Sequence, residues 1–175
     1  MSDIPKAIAQ ALLDHWSSLR HGRDVPDRAD IDPAAIRGQL PHLFMLDVLP
    51  EQAYRFRLAG TAIVARLGFD PTGKQVSDLI GGRHLAYMKN LFKLAIERRS
   101  ALYACSAYRY PPKDYLRVHR VILPLTHGGT SIDILMVGQK FDEVGKGEGH
   151  DVLTILTDGV HQEERVDVLG AARDR

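Results

Sequence analysis

Apolar and polar positions are patterned most informatively between Leu40 and Lys74, where two strand-like runs lead directly into a short helix. Phe44, Leu46 and Val48 fall on one face of the first run and Leu43, Met45 and Leu49 on the other. Both faces are therefore expected to be covered, as in a central strand. Beyond Pro50-Glu51-Gln52, Tyr54, Phe56 and Leu58 alternate with Arg55 and Arg57, the pattern of a half-buried strand nearer a sheet edge. Gly60 ends this run. Thr61 is suited to N-cap the helix AIVARLG, and Gly68 to close it in the left-handed conformation. A hairpin that runs straight into a helix leaves a hollow between sheet and helix, which the rest of the chain is expected to close.

Upstream, Ile4, Ile8, Ala11, Leu12, Trp16 and Leu19 recur at helical spacing, after Ser2 or Asp3 as cap and before Gly22 as stop. This leader can pack on the domain's own sheet or pair with a second copy; Ile8, Leu12, Trp16 and Leu19 are the candidate dimer or partner surface. Arg20, Arg23 and Arg28 mixed with Asp24, Asp27 and Asp30 suggest a solvated loop. Asp32-Pro33 is expected to start a short helix that ends at Leu40, before Pro41.

Downstream, KQVSDLI predicts a short helix and Gly81-Gly82 a break. A longer helix then carries His84, Tyr87, Met88, Leu91 and Ala95 on one face. The five predicted strands lie near 42–49, 53–59, 101–110, 114–125 and 131–141. Pro124 belongs at a bulge or strand end, and Gly138 where another backbone or a ligand approaches closely. Glycines 145, 147 and 149 suggest a linker. The apolar clusters after Asp151 could form a strand or a helix, or hang free.

The run RLAGTAIVARLGFDPTGKQVSDL resembles the strand-to-helix entry of a PAS domain. The upstream LLDHWSSLRHGRDVPDRADIDPAAIRGQLPHLFMLDV is similar to a bacterial family of small single-domain PAS-like proteins with an N-terminal helical leader. The resemblance spans roughly the first four-fifths of the chain. It implies an α+β fold: a PAS-like five-stranded antiparallel sheet with helices over one face, plus the leader. The expected divisions are a leader over 1–40, a PAS-like core over 41–143, and a linker and tail over 144–175. It also implies that the helix beginning near His84 is a lid over the hollow.

Composition narrows the function further. Hydrophobic residues make up 45% and the formal net charge is +1, so nothing steers the chain to nucleic acid or a membrane surface. One cysteine, Cys105, excludes an intramolecular disulfide. No signal peptide or membrane-spanning run is visible, and a cytoplasmic protein is expected. Phosphate-loop, dinucleotide, zincin and nucleophile-elbow motifs are missing, and the eight histidines are scattered. GKGEGH at 145–150 lacks the context of a phosphate site. In haem-binding PAS domains the axial histidine lies on the lid helix, where His84 falls, but one histidine on an apolar stripe is weak support. The asparagine-cysteine-arginine motif of flavin photoreceptors is missing, and Cys105 sits on a strand. Haem through His84 and flavin are both disfavoured, and the cofactor is otherwise open.

Tyr103, Tyr108, Tyr110, Tyr115 and His119 form a polar-aromatic group on the late strands, and Arg117, His119 and Arg120 could form a basic patch. Arg55 and Arg57 suit an outward face. A pocket is expected to be lined by Phe44, Tyr54, Phe56, Val64, His84, Tyr87, Met88, Leu91, Tyr108, His119 and Met136. The reading is a non-enzymatic sensory or regulatory module, a homodimer that signals through ligand- or partner-dependent protein contacts. The alternatives are an enzyme or carrier using the same hollow, and a purely structural dimerisation module.

Overall fold

The leader forms the helix that its apolar spacing predicts, α1 (Ile4–Ser18). After it come β1 (Leu43–Leu49), β2 (Ala53–Ala59), α2 (Thr61–Leu67), α3 (Val76–Leu79) and α4 (Gly82–Arg98). The chain continues through β3 (Ala101–Tyr110), β4 (Asp114–Thr126), β5 (Ile132–Val144), β6 (Val152–Thr157) and β7 (Val160–Glu164). The computed structural model describes residues 4–110, 114–144, 152–157 and 160–164, with side chains over 7–106 and 117–141. No helix among the described residues is long and apolar enough to cross a membrane.

The five expected strands form one antiparallel sheet, and β6 and β7 extend it beyond β3 to the order β2-β1-β5-β4-β3-β6-β7. β2 is an edge strand, as its alternation implied, and part of its free side pairs with the chain after α2: Phe56 N donates to Lys74 O at 2.9 Å. Arg57 is the extra residue of a bulge, since Met45 pairs with Leu58 but Leu46 with Phe56. Arg55 and Arg57 are exposed and both reach Asp47, each at 3.0 Å, so they form an outward ion-pair group.

Helices cover both faces of the sheet. α2, α3 and α4 lie over one. α1 lies on the other, where Leu12 and Trp16 are 0% and 2% exposed. A Cβ at Gly138 would sit 2.3 Å from Leu12 Cδ1, so the missing side chain of Gly138 makes the seat for Leu12. The close approach expected at Gly138 is thus by the leader's side chain, not by a backbone or a ligand. Trp16 Nε1 donates to Pro124 O at 2.8 Å. Leu12 and Trp16 are therefore spent inside the chain's own core. As parts of a dimer surface they are corrected, because a residue buried in the monomer has no area left to give a partner; Ile8 and Leu19 are half-buried.

Three local expectations shift. The segment after Asp32 is a run of turns ending in a 3-10 turn at Leu40–His42, although Asp32 Oδ1 accepts from Ala34 N at 2.9 Å as a cap would. Gly38 and Pro41 leave too little chain between Pro33 and Leu40 for a helix to propagate. Thr61 is the first residue of α2 and Gly60 its cap, without a side-chain bond. Gly68 does close α2 in the left-handed region, at φ 80°. In the polar loop after α1, Asp27 is a tie: it accepts from Ala29 N at 2.9 Å, Thr126 Oγ1 at 3.0 Å and Gly128 N at 2.7 Å. Those bonds hold its carboxyl below the usual carboxylate range.

Candidate functional site

A cavity of about 450 Å³ lies between the sheet and α2, α3 and α4, within the size range of small-molecule sites. β1 and β2 contribute Phe44 and Phe56, whose ring centroids are 5.4 Å apart. β4 contributes Val118 and Arg120, and β5 contributes Gln139 and Phe141. From the helical side come Ile63, Arg66 and Leu67 of α2, Val76 and Leu79 of α3 with Ile80 after it, and His84, Met88 and Phe92 of α4. The i, i+3, i+4 spacing on α2 and the i, i+4, i+8 spacing on α4 each place one helical stripe against the cavity.

Four of the pocket residues expected from sequence line this space: Phe44, Phe56, His84 and Met88. Tyr54, Tyr87 and Leu91 are buried but do not line it. Tyr54 packs on Phe92 with centroids 4.8 Å apart, and burial, with Glu97 nearby, pushes its phenol up to about 12. Val64 is displaced from the wall by its neighbour Ile63. The side chain of Tyr108 lies outside the described residues, as do those of Tyr110 and Tyr115.

His119 and Met136 are corrections. Direct partners in an antiparallel ladder share a face. Met136 pairs with Met45 and Leu123, and it lies two residues from Gly138, whose Cβ direction meets α1. His119 pairs with Cys105 and lies two residues from Val121, which flanks the same seat. Both therefore face the leader. There His119 Nδ1 meets Tyr103 OH at 2.6 Å, so part of the expected polar-aromatic group exists, on the opposite side from the cavity. Cys105 is buried on this face as a small strand residue.

Arg120 departs furthest from expectation. Instead of joining a basic surface patch with Arg117 and His119, it is 4% exposed and faces the cavity. Arg120 Nε donates to Gln139 Oε1 at 2.7 Å, and its Nη1 to Ser106 Oγ at 2.8 Å. The guanidinium is thereby aligned across β3, β4 and β5. One strand signal points to this: Arg120 sits amid the apolar Val118, Val121 and Ile122, all of them buried. At the rim, the guanidinium of Arg66 lies 5.0 Å from the centroid of Phe141, within cation–π range.

Burial, and secondarily the charge of Arg120, hold the His84 imidazole below its ordinary value of 6.5. The unfolded chain therefore takes up this proton before the folded one does. Stability from the neutral imidazole is complete above about pH 6.5 and falls away as pH drops from there through the folded value. Urea midpoints measured from pH 7.5 to 5 should thus decline more steeply for the wild type than for His84→Gln. Equal slopes would remove His84 as the cause. Asp27 and Asp47, held below the ordinary 3.8, act only at lower pH.

No group of three or more side chains suited to hold a metal ion occurs among the described residues. No curated protein and no solved structure matches the chain. The family model described as PAS domain matches residues 5–137, from the first turn of α1 to the middle of β5. With the sheet, the helices and the cavity between them in place, that match shows that the chain belongs to the PAS domain family.

Proposed function

We propose that this PAS domain is a non-enzymatic sensor in which a small molecule held between the sheet and α2–α4 controls contacts with partner proteins. PAS domains are sensory and regulatory modules in general. The observation that carries the more specific reading is the cavity, whose apolar wall surrounds a few aligned polar groups, as small-molecule sites do. A solid-packed dimerisation module would have filled this space with side chains.

A route for the signal follows from the strands. Arg120 and Gln139 face the cavity, while their neighbours Val121 and Gly138 seat Leu12 on the opposite face. A ligand that shifts β4 and β5 by a fraction of an ångström acts on α1 through a single residue step. It changes the population of docked leader only by as much as it binds one arrangement better than the other. Homodimerisation and partner capture would then be read at α1 and the surfaces beside it.

Native mass spectrometry of the protein purified from its own host, compared with the denatured mass, tests this. The expected result is a small-molecule adduct that disappears on denaturation. Identical masses across preparations would remove the small-molecule reading and leave protein contacts alone as the input. The same spectrum reports whether the chain is a dimer.

A further inference from the structure

The leader and the loop that follows it are held to the sheet in different ways. Among the described residues, α1 is docked by side chains: Leu12 in the notch at Gly138, and Trp16 through its indole bond to Pro124 O. Residues 24–31 are tied by backbone and by buried anchors as well. Thr126 N donates to Pro26 O at 3.1 Å, and Asp27 pairs with Thr126 as a one-residue bridge. The Asp27 carboxylate accepts from the Thr126 hydroxyl and from Gly128 N, and Val25 and Ile31 are buried on either side of it. Arg99 reaches both Asp24 Oδ2 at 3.3 Å and Thr130 O at 3.1 Å, which fastens the start of the loop to the turn between β4 and β5.

Between these two regimes lie His21 and Gly22, exposed and both in the left-handed region, at φ 46° and 83°. A Cβ at Gly22 would meet nothing within 4 Å, so open space surrounds the point where the chain reverses. We propose that this point is a hinge: α1 swings off the sheet as a unit about His21 and Gly22, while residues 24–31 stay strapped to the β4–β5 turn. Arg23 is its latch. Arg23 Nε donates to Arg20 O and its Nη2 to Leu19 O, each at 3.1 Å, just past the end of α1. The same Nη2 pairs with Asp30 in the strap. Ion pairs this exposed contribute little, so the latch biases the angle of α1 without locking it. A leader that undocks on such a hinge opens its apolar stripe to a partner while its C-terminal end stays beside the sheet. Redocking is then intramolecular and fast. The hinge rests on the reading of α1 as the output of the sensor, but the native mass tests that reading, whereas hydrogen exchange tests the hinge.

Residue-resolved hydrogen exchange is measured on the purified full chain. Amides of residues 12–16 should be less protected than the Thr126 amide by about tenfold or more, because α1 opens without the strap. Gly138→Ala puts a Cβ 2.3 Å from Leu12 Cδ1 and leaves the strap untouched. It should speed α1 exchange by a further factor of about ten, with Thr126 unchanged. Arg23→Met should speed α1 exchange about twofold to fivefold, again with Thr126 unchanged. If Gly138→Ala does not fold, the wild-type ratio and Arg23→Met still decide. Equal protection of α1 and Thr126 in the wild type, or acceleration of both by one factor in either variant, would overturn the hinge, since leader and strap would then open together. A folded variant that leaves α1 exchange unchanged would overturn it too. Each of these results leaves the cavity a ligand site, because none of the probed amides or substituted residues lines it.

Discussion

Trp16→Ala is expected to cost the domain about 3–5 kcal/mol, the range for deleting a fully buried large aromatic side chain. Trp16 is 2% exposed between α1 and the sheet, and its indole N–H is the partner of the Pro124 carbonyl. The substitution leaves a void the size of an indole and strands an acceptor that water cannot reach. Domains are stable by about 5–15 kcal/mol, so the loss takes a large part of the total. The urea midpoint should fall sharply with little change in slope. Trp16→Phe keeps most of the packing and loses the bond, and should cost about 1–3 kcal/mol. A loss below about 1 kcal/mol for Trp16→Ala would mean that α1 spends its time off the sheet. Its apolar face would then again be available to a second copy.

Gly60→Ala should have an effect of similar size through the opposite cause, a surplus of atoms. A Cβ at Gly60 would lie 2.1 Å from Leu40 O, 2.5 Å from Pro41 O and 2.7 Å from the Pro41 carbonyl carbon. All three are backbone atoms, held by the bond from Gly60 N to Leu43 O at 2.7 Å, so no rotamer change relieves the contact. The expected cost is about 3 kcal/mol or more, at or above the usual upper range for overpacking. Because Gly60 caps α2, whose Ile63, Arg66 and Leu67 form a cavity wall, ligand affinity should fall as well. Gly68→Ala is the control. It adds a Cβ into open space at φ 80°, so it carries the cost of the left-handed conformation alone, about 1–2 kcal/mol. If Gly60→Ala proves as mild as Gly68→Ala, the junction between the Leu40–His42 turn and α2 is softer than its geometry implies.

The five strands, α2, α3 and the long helix were legible because their apolar spacing matches one period each and their breaks carry glycine or proline. The cavity was legible as a hollow but only partly as a list of residues. Periodicity says that His119, Val121 and Leu123 share a face and that Val118, Arg120 and Ile122 share the other. It does not say which face the lid covers and which the leader covers. His119 looked like site chemistry and Arg120 like surface, and the structure exchanges them. The leader was ambiguous for the same reason, since an amphipathic stripe states that something covers it and not what. β6 and β7 do carry a signal in the sequence: Thr157 pairs with Val160, and the two intervening residues are Asp-Gly, a strong short hairpin pair.

The seating of α1 also bears on how the chain is made. Trp16 and its acceptor Pro124 are 108 residues apart, and the Gly138 notch for Leu12 comes later still. At about 5–20 residues per second, the first helix leaves the ribosome many seconds before its platform exists. Throughout that interval its apolar stripe is exposed, a natural target for chaperones that shelter nascent chains. A segment synthesised well before its platform is then among the last to lock, so leader variants should lower the yield of folded protein in cells more than their equilibrium stabilities alone would suggest.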